Sequence, residues 1–166
     1  MNLVLIGMPG AGKSRIGRAL AKKAGMKFVD TDKIIRQEYG DIPKVFAEKG
    51  EEYFRSLESE AAKKAADGDG RVISTGGGIV LKEENMLVLK SCGTVIYLKT
   101  DIDTLVRRTA GSARPLLKGD ARKNIEDLLK KRASLYEKYA DITVDANSDD
   151  VTKKVDLIIN AIRRIK

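Results

Sequence analysis

Residues 7–14 read Gly-Met-Pro-Gly-Ala-Gly-Lys-Ser, a G-x-x-x-x-G-K-S pattern. It lies between the apolar run Asn2-Leu-Val-Leu-Ile6 and a segment of helical periodicity from about 12 to 24. No other stretch limits the fold as tightly, because such a loop works only where a buried strand delivers the chain to the start of a helix. Its glycines leave backbone N–H groups bare to wrap phosphate oxygens, and the helix N-terminus adds partial positive charge at the same point. Lys13 is then placed to reach the β- and γ-phosphates of a nucleotide, and Ser14 to hold Mg²⁺.

The rest of the chain repeats the strand-then-helix rhythm. Further strands are expected at 27–30, 71–74, 94–99 and 141–146. Helices are expected from Lys33, from Pro43 to near Gly50, over 51–66, near 101–108, over 121–139 and over 149–165. Asp-Gly-Asp-Gly at 67–70 stops one helix, and 109–120 reads as a loop in which Gly, Ser and Pro break a basic stretch. Near-continuously apolar strands, each followed by helix, point to a parallel sheet covered on both faces. At 166 residues the chain is expected to form one domain. The closing helix gathers Val151, Val155, Ile158, Ile159 and Ile162 on one face, which is expected to dock on the sheet and not on a membrane. No apolar run approaches the ~20 residues that span a bilayer. The apolar start lacks a basic lead and a cleavage-like end, so it reads as a strand and not a signal peptide.

The chain has no histidine, so acid–base work falls to Asp, Glu, Lys or Tyr, and most zinc sites are excluded. Its one cysteine, Cys92, allows no internal disulfide, fits a cytoplasmic setting and is expected to be a small buried apolar residue. A net charge of +8 suits an anionic partner: nucleic acid, phosphates or a carboxylate. The basic residues are spread over the helices instead of forming one tract, which weighs against nucleic acid.

A kinase loop needs an acid at the end of a neighbouring strand, and Asp30 and Asp32 of Phe28-Val-Asp-Thr-Asp32 stand there. Alone the pair reads as a helix cap; beside a phosphate loop, one carboxylate can hold the metal's water shell and the other can face an acceptor hydroxyl. Lys99 closes the fourth strand and cannot serve. Arg55 and Glu58, at i and i+3, form either a surface ion pair or a guanidinium fixed to grip an anion. Arg132 is equally open between a solvated and a binding role. Arg114 lies either in a solvated loop or on a lid that brings it to a transferring phosphoryl group. A second glycine run, Ser74-Thr-Gly-Gly-Gly78, ends the third strand. A tight turn accounts for one or two of these glycines. Bare backbone at all three would let an acceptor approach and receive N–H hydrogen bonds.

Taken in order, GMPGAGKS, DTD, FRSLE, STGGG, RPLL, RASLY and VDAN resemble the shikimate kinase family, P-loop kinases related to nucleoside monophosphate kinases, over nearly the whole chain. The resemblance implies an α/β, three-layer α/β/α P-loop kinase fold with a five-stranded parallel sheet in the order 2-3-1-4-5. It implies a single domain, 1–166, with a substrate-binding helical segment at about 32–60 and a mobile lid at about 109–121. The implied activity is ATP-dependent phosphorylation of the shikimate 3-hydroxyl. Asp32, Lys13 and Arg114 are the implied catalytic residues. Asp32, Arg55, Gly76, Gly77, Gly78 and Arg132 are implied to bind shikimate. ATP falls to Gly10, Ala11, Gly12, Lys13, Ser14 and Arg15 with Arg108 and Arg114, and Mg²⁺ to Ser14 and Asp30. Family members often carry a proline after the VDxN segment, beside the adenine; this chain has Ser148-Asp-Asp-Val151 there. The expected partners are ATP and shikimate, without nucleic acid or membrane, for a cytoplasmic monomer. The rival expectations are a kinase of another small metabolite such as gluconate, a nucleoside monophosphate kinase, and a P-loop switch or nucleic-acid-binding module.

Overall fold

The structure, a computed structural model, describes residues 1–110 and 120–166. Five strands, β1 (Asn2–Ile6), β2 (Lys27–Asp30), β3 (Arg71–Ser74), β4 (Gly93–Lys99) and β5 (Ile142–Asp145), form one sheet in the order β2-β3-β1-β4-β5. Every pairing is parallel. The helices are α1 (Lys13–Ala24), α2 (Thr31–Tyr39), α3 (Ile42–Lys49), α4 (Glu51–Ala66), α5 (Glu83–Cys92), α6 (Ile102–Thr109), α7 (Ala121–Tyr139) and α8 (Val151–Ile165).

The unbroken apolar character of β1 follows from its place in the middle of the sheet. Val4 and Ile6 enter one core with Ala62, Met86, Leu89 and Tyr136, from α4, α5 and α7. Leu3 and Leu5 enter the opposite core with Ile16, Leu20, Val155 and Ile158, from α1 and α8. A strand buried on both faces has no polar alternation to display. Val155, Ile158 and Ile162 of α8 are buried against this second face, as the periodicity predicts. A smaller cluster, Ile35, Val45, Phe54, Leu57 and Ala61, joins α2, α3 and α4 into a unit beside β2.

One helix escapes the sequence reading. α5 follows a turn of 3-10 helix at Ile79–Leu81 and covers a stretch with no element expected. Its four consecutive apolar residues hide the helical period: Met86 and Leu89 point inward, while Leu87 is 62% exposed. Cys92, at its end, is only partly buried, and its thiol donates to the Leu89 carbonyl at 3.2 Å. Among the described residues no helix is long and apolar enough to cross a membrane.

Candidate active site

The carboxyl ends of β1, β2 and β3 lie side by side, and the loops leaving them enclose a cleft of about 400 Å³. Gly10, Gly12, Lys13, Ser14 and Arg15 line it from the phosphate loop, Asp32 from α2, Arg55 and Glu58 from α4, Gly76, Gly77 and Gly78 from the loop after β3, and Arg132 from α7. Four segments far apart in sequence thus meet the nucleotide loop in one hollow.

The phosphate loop is shaped by its glycines. Gly10 and Gly12 hold φ of 92° and 88°, the left-handed region that a side chain resists. Gly12 caps α1 without a side-chain hydrogen bond, and the first turn carries no acid. By contrast α2, α6, α7 and α8 are each capped by an aspartate side chain. The free N–H groups and positive end of α1 therefore face the cleft. Lys13 is buried, and its Nζ donates to the carbonyls of Gly7 at 2.7 Å and Met8 at 2.9 Å. Ala11 is buried too, its N–H donating to Met8 O.

Asp30 serves as cap and site residue at once. Its Oδ1 accepts from the backbone N–H of Asp32 at 2.9 Å, and its Oδ2 accepts from Ser14 Oγ at 2.8 Å. The Ser74 hydroxyl stands 3.2 Å from Ser14 Oγ. A hydroxyl and a carboxylate side by side at the phosphate-loop helix suit Mg²⁺, which keeps most of its waters and takes one or two protein oxygens.

Arg55 and Glu58 are no surface pair. They are 7% and 1% exposed, and Arg55 Nη1 donates to Glu58 Oε1 at 2.5 Å. Burial works to lower the Arg55 pKa, but the Glu58 and Glu51 carboxylates outweigh it and the net shift is upward. For Glu58, burial raises the carboxyl pKa, Arg55 pulls it back, Asp32 adds to the rise, and the net shift is upward. Arg132, open between two readings from sequence, is 2% exposed. Among the described residues, Arg55 Nε and Arg132 Nη1 are buried without any hydrogen-bond partner. Two buried guanidinium groups converging on one cleft leave an excess of positive charge and donors there that suits an anion.

The second glycine run is explained by close approach. None of Gly76, Gly77 and Gly78 needs a positive φ. A Cβ on Gly76 would stand 2.8 Å from Glu58 Oε2 and 3.0 Å from Asp32 Oδ1. On Gly77 it would stand 2.7 Å from Pro9 Cδ, and on Gly78 it would collide with the Arg55 guanidinium. Each glycine thus admits a different site residue against the backbone. The Gly76 N–H donates to Thr31 Oγ1 at 3.2 Å.

Arg108 bridges two loops. Its Nη2 donates to the carbonyls of Ala146, Asn147 and Ser148 at 2.9, 3.0 and 3.0 Å, and its Nη1 to Gly10 O at 3.5 Å. Asp149, from the segment that lacks the family's proline, pairs with both Arg107 and Arg108. Sequence reasoning missed Asp149, Thr31 and Tyr136; the adjacent arginines 107 and 108 were the one available signal, and only for the first. Arg114 and the heart of the expected lid lie outside the described residues.

The comparisons with known proteins agree with this geometry. The family model described as shikimate kinase matches residues 9–163. A shikimate kinase of Thioalkalivibrio sulfidiphilus is 44% identical over 157 residues, covering 93% of this chain and 83% of the relative. One from Persephonella marina is 42% identical over 164 residues, covering 98% and 99%. Among solved structures, a shikimate kinase from Acinetobacter baumannii in complex with shikimate superposes with a TM-score of 0.96 at 34% identity, covering 99% of this chain and 94% of that one. A family model that spans nearly every element, with relatives 44% and 42% identical along almost the whole chain, leaves one assignment: the chain belongs to the shikimate kinase family.

Proposed function

We propose that this cleft transfers the γ-phosphoryl group of ATP to the 3-hydroxyl of shikimate, giving shikimate 3-phosphate and ADP for aromatic amino acid biosynthesis. The observation that carries the reading is that two buried arginines, Arg55 and Arg132, line the same hollow as the phosphate loop. A carboxylate is the planar anion that two guanidinium forks complete.

In this reading ATP lies along Gly10, Ala11, Gly12, Lys13, Ser14 and Arg15, its adenine beside Arg108. Shikimate lies over Gly76, Gly77 and Gly78 with its carboxylate between Arg55 and Arg132. Asp32 orients the 3-hydroxyl and accepts its proton as the oxygen forms a bond to the γ-phosphorus. The bond from that phosphorus to the β–γ bridging oxygen breaks in line, and ADP departs with the electron pair. Lys13 leaves its loop carbonyls to meet the phosphate oxygens, and Arg114 from the lid at about 109–121 spreads the remaining charge. Mg²⁺, held by Ser14 and through water by Asp30, would neutralise charge on the β- and γ-oxygens. The helical segment at about 32–60 is the acceptor-binding part of a single cytoplasmic domain acting as a monomer.

The test is ATP consumption with shikimate, gluconate and AMP run in parallel. Shikimate-dependent ADP release is expected, with little from the other two. No release at millimolar shikimate removes the reading.

A further inference from the structure

Tyr136 is fully buried, yet its hydroxyl is placed with care. It donates to the Gly77 carbonyl at 2.6 Å and lies 3.8 Å from Met8 Sδ of the phosphate loop. Its ring stacks on Tyr97 of β4, centroids 5.1 Å apart and planes 22° from parallel, so it cannot swing away. Burial raises the phenol's pKa, with Arg132 opposing the rise, so the hydroxyl keeps its proton and remains a donor.

Arg132 precedes Tyr136 by four residues on α7, so the two lie one above the other on the same helix face. Among the described residues Arg132 Nη1 has no hydrogen-bond partner, and the Tyr136 hydroxyl interacts directly with the Arg132 side chain. The same hydroxyl that meets the guanidinium also ties this face of α7 to the glycine loop by donating to Gly77 O. Gly77 in turn lies so near Pro9 that a Cβ on it would stand 2.7 Å from Pro9 Cδ. Arg132, the glycine loop and the phosphate loop form one stack with Tyr136 at its centre.

We infer that Tyr136 is a positioning residue for the acceptor: its hydroxyl holds Arg132 and the Gly76–Gly78 backbone in the register that grips the substrate carboxylate. The inference rests on shikimate being that substrate, and the experiment separates the two.

Shikimate and ADP binding are measured by calorimetry on the wild type, Tyr136→Phe, Tyr97→Phe, Arg132→Ala and the Tyr136→Phe/Arg132→Ala double variant. Phe preserves the stacked ring and removes only the hydroxyl. Tyr136→Phe should weaken shikimate about tenfold, the size of one lost hydrogen bond, and leave ADP within about twofold. Tyr97→Phe should change neither ligand. The double variant should lose clearly less than the sum of the single losses, because both act through one guanidinium. If Tyr136→Phe melts near the assay temperature, saturating ADP keeps the native state populated for the shikimate titration. A lower melting temperature with unchanged shikimate affinity overturns the inference, as does equal weakening of shikimate and ADP, or full additivity. A wild type that binds ADP and not shikimate overturns instead the proposed substrate.

Discussion

Asp30 divides its two carboxylate oxygens between two elements: Oδ1 caps α2 through the Asp32 N–H at 2.9 Å, and Oδ2 holds the Ser14 hydroxyl of α1 at 2.8 Å. One side chain thus ties the acceptor-side helix to the phosphate-loop helix. The two duties separate by substitution. Asp30→Ala should lose both the cap, at about 1 kcal/mol, and the activity. Asp30→Asn caps nearly as well, so its melting temperature should return close to the wild type. Its kcat should stay at least about tenfold down, because an amide is a poor partner for a cation's water shell. Thermal melts and steady-state rates across a Mg²⁺ titration distinguish them. Equal recovery of stability and rate in Asp30→Asn would mean that the carboxylate only caps.

Arg132→Ala removes a donor buried at 2% exposure beside Glu58. Shikimate affinity should fall about 10- to 100-fold, the range for a hydrogen bond to a charged group. ADP affinity should change little, since the phosphate-loop backbone and the start of α1, not Arg132 of α7, are the groups proposed to hold the nucleotide phosphates. Isothermal titration of each ligand decides. A collapse of ADP binding moves Arg132 out of the acceptor pocket.

The parallel sheet, the phosphate loop and the apolar faces were legible because each has a period or a motif that local physics enforces, whereas the strand order came only with the resemblance. The burial of Arg55 and Arg132 was not. A guanidinium on a helix carries the same letters whether it meets water or a cleft, and only the resemblance broke the tie. The three glycines gave their location but not their reason. Their neighbours Glu58, Pro9 and Arg55 come from α4 and the first loop, and such contacts leave no trace beside Gly76–Gly78 in sequence. α5 was lost because Met86-Leu-Val-Leu89 reads equally as strand.

Those contacts make the glycines individually testable. Gly78→Ala drives a Cβ into the Arg55 guanidinium and should raise the KM for shikimate roughly tenfold or more, the size of a lost charge-assisted contact, with KM for ATP nearly unchanged. Gly77→Ala meets Pro9 at 2.7 Å and should disturb the nucleotide loop as well, raising both KM values. Steady-state kinetics with each substrate varied reads the difference. Identical profiles for the two variants would show that the loop shifts as a body and that the separate contacts do not matter.

Lys154, in the first turn of α8, is 3% exposed; its backbone N–H donates to Asp150 O at 3.2 Å, and the carboxylates of Asp149 and Asp150 act on its ammonium from a distance. Burial pushes its ammonium pKa down first, Arg108 and Arg15 push it further, and Asp149 and Asp150 pull back without reversing the shift. The folded protein therefore disfavours the charged form. Between the lowered pKa and the ordinary value of 10.5, the native state holds fewer protons than the unfolded chain, so stability rises with pH across that window. Below it the penalty is fully present. Lys154→Met keeps the aliphatic stem and deletes the charge. It should melt higher at pH 7, by about 2–4 °C for each kcal/mol recovered, and its advantage should shrink as pH climbs toward 10.5. Melting curves of both proteins from pH 6 to 10.5 measure it. A gain that stays constant over that range would come from apolar contact alone, and a loss at pH 7 would mean that the ammonium has a stabilising partner in the folded chain.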